Sequence, residues 1–161
     1  MFSRPHIEFI QSQCLPWSPA PRGIPGAECK ILSRADRGGA CSLLLRYPPG
    51  WQRDLTEYSP ADEEFYVLSG CYYLNGYEYA AGCYGFYPAG YPRAGAYSSE
   101  GAVILRFFDG RPRLMSPDEP APEDRAPAIP FVDAFRMLWD RSVFDYRLNH
   151  LGAGRKILRI D

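Results

Sequence analysis

Glycine and proline interrupt this chain more often than long helices allow. The 161 residues include 15 glycines and 16 prolines. Glycine weakens a helix through its backbone entropy, and proline removes a backbone donor, so frequent interruption favours short strands joined by turns. The length is about that of one domain and is enough to bury a single sizeable core.

Apolar runs between these interruptions predict seven or eight strands and no helix before residue 130. The clearest runs are residues 27–34, 40–47, 63–70, 71–79 and 102–108. Asn75 and Gly76 lie between two aromatic-rich arms, which is the strongest short-range signal for a hairpin. The pattern predicts an all-β fold, either an antiparallel sandwich or a small barrel.

Composition and charge exclude several classes of partner. The net charge of −1 gives no basic surplus for sequence-independent nucleic-acid binding. The apolar runs are far shorter than the roughly 18 residues that a membrane span needs, so no membrane partner is predicted. The first residues lack the charged-then-apolar pattern of a secretory signal, and we expect a cytoplasmic protein.

The cysteines and histidines limit the chemistry that the chain offers. Five cysteines show no C-x-x-C spacing. In a chain without a secretory signal they are expected to be reduced and mostly buried. The only histidines are His6 and His150, which argues against a histidine-rich metal site and against a Ser-His-Asp hydrolase.

Composition divides the chain into four segments. They are an irregular N-terminal arm (1–13), a barrel (14–112), an acidic proline-rich linker (113–130) and an apolar C-terminal segment (131–161). The proline-rich composition of the linker predicts a stiff, extended strap on the surface of the barrel.

An internal repeat connects the beginning of the predicted barrel with the C-terminal segment. Residues 26–32 read Gly-Ala-x-x-Lys-Ile-Leu, and the same pattern returns at 152–158. A tryptophan precedes each copy, at Trp17 and Trp139. A repeat at this period predicts the first half of a two-barrel protein, or a terminal strand that pairs elsewhere, for example with a second subunit. Lys-Ile-Leu as a common strand opening is the remaining interpretation.

Two spaced motifs in the middle of the chain resemble those of the cupin superfamily. The chain has E-x6-G from Glu63 and G-x5-P-x-G from Gly82. The cupin motifs are G-x5-H-x-H-x3,4-E-x6-G and G-x5-P-x-G-x2-H-x3-N. The flanking stretches LPW, KILSRAD and RYPPGW resemble ChrR-like cupins, a group that includes two-barrel members. The resemblance covers roughly residues 14–110 and implies a cupin-like antiparallel β-barrel, also called a jelly roll or RmlC-like fold.

The resemblance also implies a metal site, and this chain departs from it. In a cupin, two histidines and a glutamate of the first motif and one histidine of the second hold a divalent metal. Alternate residues on a strand share a face, so such side chains converge inside the barrel. Glu63 keeps the glutamate position here. The three histidine positions are occupied by Glu57, Ser59 and Arg93.

These four residues, Glu57, Ser59, Glu63 and Arg93, are the predicted ligand-binding residues. A guanidinium cannot ligate a metal, so no metal cofactor is predicted. Three interpretations stay open. The residues form a structural ion pair in a former metal site, or Arg93 binds an organic anion, or Glu57 and Glu63 hold a hard cation through oxygen ligands.

Two classes of function follow from this site, and the sequence does not decide between them. The first is a non-catalytic or sensing module that binds a small organic anion, or that serves as a dimerising domain. An apolar tail and an unpaired strand would favour a homodimer. The alternative is a cupin enzyme of the dioxygenase, isomerase or lyase type that acts on a small carbonyl compound or acid. Glu57 or Glu63 would then be the acid or base, and Arg93 would orient the substrate.

Overall fold

Short strands with alternating burial form a curled antiparallel sheet. The computed structural model describes residues 9–21, 24–116, 118, 127–140, 150 and 154–160. Within these ranges the chain has ten strands and no α-helix, which confirms the all-β prediction. A 3-10 turn covers Ser12–Cys14, and residue 150 also has 3-10 conformation. The strands are β1 (Ser18–Pro19), β2 (Glu28–Arg34), β3 (Cys41–Tyr47), β4 (Trp51–Arg53), β5 (Glu63–Leu74), β6 (Tyr77–Ala80), β7 (Cys83–Tyr87), β8 (Ala96–Ser98), β9 (Ala102–Phe108) and β10 (Ile129–Asp133).

One long strand, β5, belongs to both sheets of the barrel. The main sheet has the order β1-β2-β3-β9-β5-β7-β10. The first half of β5 pairs with β7 and β9, and its second half pairs with β6 and β8, always in the antiparallel sense. The core lies on the inner face, where Leu45, Phe65 and Ile104 are at most 1% exposed.

Gly70 lies where β5 passes from one sheet to the other. Its φ is +74°, and a Cβ at this position would lie 2.0 Å from the carbonyl oxygen of Gly101. The positive φ and the close approach both require a residue without a side chain. The glycine that ends the first motif therefore has a backbone reason to be there.

The Asn75–Gly76 turn joins β5 to β6, as predicted. Both residues have positive φ, 53° and 79°, which defines a type I′ hairpin turn. The Asn75 side chain also donates to the carbonyl of Pro92 at 3.0 Å and accepts from the amide of Ala94 at 2.7 Å. The hairpin therefore holds the loop that contains Arg93.

Strand β10 begins inside the range that the sequence assigns to the linker. It pairs antiparallel with β7, and the carbonyl of Pro130 accepts a hydrogen bond from the hydroxyl of Tyr79. Most of the acidic, proline-rich stretch before it lies outside the described residues. The end of the linker is thus an edge strand of the barrel.

A lysine–tryptophan contact holds the first copy of the repeat, which we call the first unit (11–34). Lys30 Nζ donates to the carbonyl of Ser12 at 2.7 Å and lies 4.8 Å from the centre of the Trp17 ring. An ammonium group at this distance is attracted by the ring face. The antiparallel pair β1–β2 lies beside this contact.

The second copy, the second unit (133–160), makes the same contact. Lys156 Nζ donates to the carbonyl of Ala134 at 2.6 Å and lies 4.6 Å from the centre of the Trp139 ring. Ala134 precedes Trp139 by the same number of residues as Ser12 precedes Trp17. Residues 141–149 and 151–153 of this unit lie outside the described part of the chain. The repeated sequence is therefore also a repeated local structure.

Two further expectations concern cysteines and membrane spans. All five cysteines lie in described parts of the chain; none forms a disulfide, and three are buried. Among the described residues, the structure has no helix of the length and apolar character that a membrane crossing requires.

Candidate functional site

The inner face of the barrel carries a buried carboxylate between two guanidinium groups. Glu63 begins β5, is 1% exposed and points inward with Phe65 and Val67, as alternation along a strand requires. Its Oε1 accepts a hydrogen bond from Arg106 Nη1 at 2.6 Å, and its Oε2 accepts one from Arg93 Nη1. Glu63 therefore links two cations.

Arg106 comes from β9 and is placed by the register of the sheet. It alternates in phase with the buried Ile104 and Phe108. Phe65 of β5 lies directly opposite Arg106, and Glu63 opposite Phe108, so Glu63 and Arg106 are diagonal neighbours across the pair. Burial lowers the pKa of Arg106, but the Glu63 carboxylate, together with Tyr47 and Tyr72, outweighs this effect and the pKa is raised overall. Arg106 therefore stays a cation inside the barrel.

Arg93 comes from the loop between β7 and β8. Its backbone exchanges two hydrogen bonds with Glu57, at 2.7 and 2.9 Å, and these hold the loop against residues 57–59. The side chain is 7% exposed, and the guanidinium carbon lies 5.7 Å from the centre of the Tyr87 ring. The backbone contact with Glu57 therefore positions the guanidinium that reaches Glu63.

The Glu57 side chain does not pair with Arg93. Both of its carboxylate oxygens accept hydrogen bonds from Arg53, and this contact raises the pKa of Arg53. Glu57 and Arg53 both line the cavity of the barrel. They form a compensated ion pair there.

Ser59, the fourth predicted ligand-binding residue, is used inside its own turn. Its Oγ donates to the carbonyl of Ala61 at 2.8 Å and accepts from the amide of the same residue at 3.1 Å. It is 1% exposed and is not among the residues that line the cavity. The structure thus places Glu57 and Arg93 at the cavity and pairs Arg93 with Glu63, whereas the Ser59 hydroxyl bonds within its own turn.

A small cavity lies beside the two arginines. Its volume is about 30 Å³, which is room for about two water-sized groups. The side chains of Arg93 and Arg106 line it together with aromatic and aliphatic groups. These include Tyr47, Trp51, Tyr72 and Leu74. The site combines cations with apolar walls.

Several buried donors at this cavity have no partner. Nε and Nη2 of Arg93, Nε and Nη2 of Arg106, and the hydroxyl of Tyr47 make no hydrogen bond. Burial raises the pKa of Tyr47, so its hydroxyl keeps the proton and can donate. Buried donors are almost always paired in proteins, so a hydrogen-bond acceptor is expected next to these groups.

The donor set does not fit the metal ion that the cupin resemblance implies. Both oxygens of Glu63 are hydrogen-bonded to arginines, and both oxygens of Glu57 to another. A guanidinium at position 93 offers donors only and repels a cation. Among the described residues, no group of three or more histidine, cysteine, aspartate or glutamate side chains could hold a metal. We therefore assign no chemistry to a metal here.

Two arginines on neighbouring strands of the sheet point in opposite directions. Arg106 points into the barrel, whereas Arg46 points outward and pairs with Glu28 at 2.5 Å. The buried phase of β9, shared by Arg106 and Ile104, is the signal that distinguishes them. Arg53 and Tyr47 carried no signal in the sequence, because their roles depend on pairing across the barrel. His150 is exposed, and His6 lies outside the described residues.

The curled antiparallel sheet and the position of Glu63 on its inner face define a cupin-type barrel. Residues 6–111, well over half of the chain, match the family model of the ChrR cupin-like domain. The chain belongs to this family. No curated protein matches its sequence significantly.

Solved structures share the fold at low sequence identity. A candidate dioxygenase from Nostoc punctiforme PCC 73102 has a TM-score of 0.73 and 24% identity over 91% of this chain, which spans 51% of that protein. A candidate acetylacetone dioxygenase from Methylibium petroleiphilum PM1 has a TM-score of 0.60 and 18% identity, with 76% and 90% covered. An RmlC-like cupin from Ralstonia eutropha JMP134 has a TM-score of 0.57 and 16% identity, with 76% and 78% covered. At these identities the likeness shows the fold alone.

Proposed function

We propose that this chain binds a small organic anion inside its barrel, through Arg93 and Arg106. The observation that carries the proposal is that these two buried cations share one carboxylate, Glu63, and that each keeps two unpaired nitrogen donors. An uncompensated charge inside a protein is costly, so a bound anion would supply the missing negative charge.

The neighbouring Arg53–Glu57 ion pair adds no net charge to the cavity. Arg53 and Glu57 neutralise each other at the cavity wall. Arg93 and Arg106 therefore carry excess positive charge next to the Tyr47 hydroxyl, and Arg113 is a further cation in the cavity wall. A carboxylate is the expected acceptor, because its two oxygens match the planar fork of a guanidinium.

The walls and size of the cavity limit the rest of the ligand. Trp51, Tyr72 and Leu74 offer apolar surface and no charge. A volume of about 30 Å³, room for about two water-sized groups, is about the size of a carboxylate group, so the acid should carry little beyond it. We therefore expect a small monocarboxylate such as acetate, propionate or pyruvate to bind better than a citrate-sized polyacid.

A second candidate function is catalysis on a small carbonyl compound or acid. The presence of Glu57 in the cavity wall favours it, because this carboxylate could transfer a proton while Arg93 orients the substrate. Arginines hold the oxygens of both glutamates, but Glu63 is the weaker acid or base, since it is 1% exposed and is not among the residues that line the cavity. The names of the Nostoc and Methylibium proteins mention dioxygenases, a reaction for which this donor set offers no metal ligands.

Calorimetric titration with acetate, propionate and pyruvate tests the proposal. We expect saturable binding at millimolar concentrations or below, and at least roughly tenfold weaker binding in Arg93→Gln. Arg46→Gln is the matched control, because Arg46 also pairs with one glutamate but lies outside the barrel. A wild-type chain that binds none of the three acids, or equal loss in both variants, contradicts the proposal.

The same ligands separate a binding module from an enzyme. Deuterium exchange at the pyruvate methyl group, followed by NMR, reports proton transfer next to the carbonyl. Binding without exchange supports the module. Exchange that is lost in Glu57→Gln while binding persists supports the enzyme.

A further inference from the structure

The two cavity arginines leave the same edge of their guanidinium groups without a partner. Arg93 and Arg106 each use Nη1 to hold the Glu63 carboxylate. In each of them the unpaired nitrogens are Nε and Nη2. These two nitrogens lie side by side on one edge of the guanidinium plane, and this edge is a fork that fits the two oxygens of a carboxylate. The two arginines therefore offer two forks to a bound acid.

The Tyr47 hydroxyl is a further buried donor at the same cavity. Tyr47 is 2% exposed, and its hydroxyl has no hydrogen-bond partner. The Tyr72 ring stacks on the Tyr47 ring with 5.3 Å between the ring centres, and the Trp51 ring meets it edge to face at 4.5 Å. The Arg106 guanidinium carbon lies 5.5 Å from the centre of the Tyr47 ring. The hydroxyl is thus held in the cavity wall beside Arg106 before a ligand binds.

One carboxylate does not satisfy all of these donors. Its two oxygens carry about four lone pairs, and the two arginine forks fill them. The Tyr47 hydroxyl then needs an acceptor of its own, because a buried donor is almost always paired. The enclosed volume of about 30 Å³ has room for little beyond the carboxylate. The additional acceptor therefore has to be an oxygen on the carbon next to the carboxylate.

The wall favours an oxo group over a hydroxyl group at that carbon. A carbonyl oxygen accepts hydrogen bonds and brings no donor, whereas a hydroxyl group brings a donor that needs its own acceptor. Glu57 lines the cavity, but both of its oxygens already accept hydrogen bonds from Arg53. A 2-oxo acid therefore matches the unpaired donors better than a 2-hydroxy acid does.

The remaining atoms of such an acid have room outside the enclosed space. Leu55 lines the cavity and is 58% exposed, so the cavity reaches the protein surface at this residue. The methyl group of a small 2-oxo acid can lie toward this opening. The enclosed volume then limits only the carboxylate and the oxo group.

We infer that Tyr47 makes the site selective for 2-oxo acids, because its hydroxyl donates to the oxo group while Arg93 and Arg106 hold the carboxylate. The inference rests on the proposed function, the binding of a small organic anion by these arginines. Burial raises the pKa of Tyr47, so the hydroxyl keeps the proton that it donates. Pyruvate is the smallest ketone in this class of acids.

Pyruvate, lactate and propionate test this selectivity. They have the same number of carbon atoms and the same charge, and they differ only at the carbon next to the carboxylate. In calorimetric titrations we expect the wild-type chain to bind pyruvate roughly tenfold more tightly than propionate, and more tightly than lactate. Tyr47→Phe removes only the hydroxyl, so the preference for pyruvate over propionate should fall to within about twofold, with propionate binding changed by less than about twofold.

Tyr79→Phe is the matched control. Tyr79 is also a fully buried tyrosine, but its hydroxyl donates to the carbonyl of Pro130 and is not part of the cavity wall. This variant should keep the preference for pyruvate. The comparison of pyruvate with propionate in the wild-type chain needs no variant, so it tests the inference even where a variant fails to fold.

The outcomes separate this inference from the proposed function. A preference for pyruvate that Tyr47→Phe abolishes and Tyr79→Phe keeps supports the inference. Equal binding of pyruvate and propionate by the wild-type chain overturns it and leaves the anion site in place, as does a preference that persists in Tyr47→Phe. Lactate binding as tight as pyruvate binding also overturns it. A wild-type chain that binds none of the three acids contradicts the proposed function, and the inference falls with it.

Discussion

Arg106 lies diagonally across the β5–β9 pair from Glu63, and its Nη1 donates to Glu63 Oε1 at 2.6 Å on the inner face of the barrel. Arg93 reaches the other oxygen of the same carboxylate from the loop after β7. Glu63 is therefore the group that holds two buried cations close to one another.

We expect Glu63→Gln to cost about 3–5 kcal/mol of unfolding free energy, because it leaves two buried guanidinium groups without their carboxylate. Urea denaturation measures the loss. Glu28→Gln is the control, since Glu28 also pairs with an arginine but its side chain is 49% exposed, and it should cost less than about 1 kcal/mol. Equal losses in the two variants would mean that burial does not decide the strength of the pair.

Gly70→Ala should destabilise the barrel much more than Gly76→Ala. Both positions have positive φ, which alone costs an alanine about 1–2 kcal/mol. The added Cβ meets nothing within 4 Å at Gly76 but lies 2.0 Å from a carbonyl oxygen at Gly70. The clash adds about 1–3 kcal/mol to the loss, again measured by urea denaturation. Similar losses at both glycines would show that the corner of β5 relaxes.

The barrel should lose stability between about pH 10 and pH 12 through Tyr87. Burial raises the pKa of Tyr87 to about 12, although the hydrogen bond with Tyr79 lowers it in part. The folded chain then keeps a proton that the unfolded chain releases near pH 10, so this contribution is full below pH 10 and is lost as the pH rises to 12.

The expected loss from Tyr87 is about 2–3 kcal/mol, from urea denaturation at a series of pH values. Tyr87→Phe should reduce this pH dependence without abolishing it, because burial also raises the pKa of Tyr79. An unchanged profile in Tyr87→Phe would contradict the assignment.

The two lysine–tryptophan contacts should contribute unequally. In the first unit Lys30 is 7% exposed and Trp17 is half-buried. In the second unit Lys156 is half-buried and Trp139 is 63% exposed. Cation–π attraction is stronger where water is excluded. Double-mutant cycles with Lys→Met and Trp→Leu should give a coupling of about 1–2 kcal/mol for Lys30 with Trp17 and about 0.5 kcal/mol for Lys156 with Trp139. The reverse order would show that the second unit is covered in solution.

The fold was accessible from the sequence because its signals are local. Alternating apolar residues mark the strands, Asn75 and Gly76 mark the hairpin, and the repeated Lys-Ile-Leu marks two units that fold alike. Each of these features acts within a few residues along the chain. Turn chemistry and alternation are therefore sufficient to predict them.

The hydrogen-bond partners inside the site were harder to predict from the sequence. They depend on the register of the strands and on which arginine pairs with which carboxylate. Spacing brought Glu57, Glu63 and Arg93 together, but it could not show that Arg53 takes the Glu57 carboxylate. The inward direction of Arg106 follows only when β5 and β9 are aligned. Contacts between residues far apart in sequence are fixed by tertiary pairing, which alternation alone does not determine.

The corner at Gly70 shows that the family signature describes the path of the backbone and not the chemistry of the site. The glycine is required by the path of β5 past the Gly101 carbonyl, and no ligand enters that requirement. A chain can therefore exchange every imidazole of the signature and still be recognised by its glycines. In such a lineage, membership reports how the backbone turns, and the chemistry of each member has to be established from the side chains that its barrel encloses, here Glu63, Arg93 and Arg106.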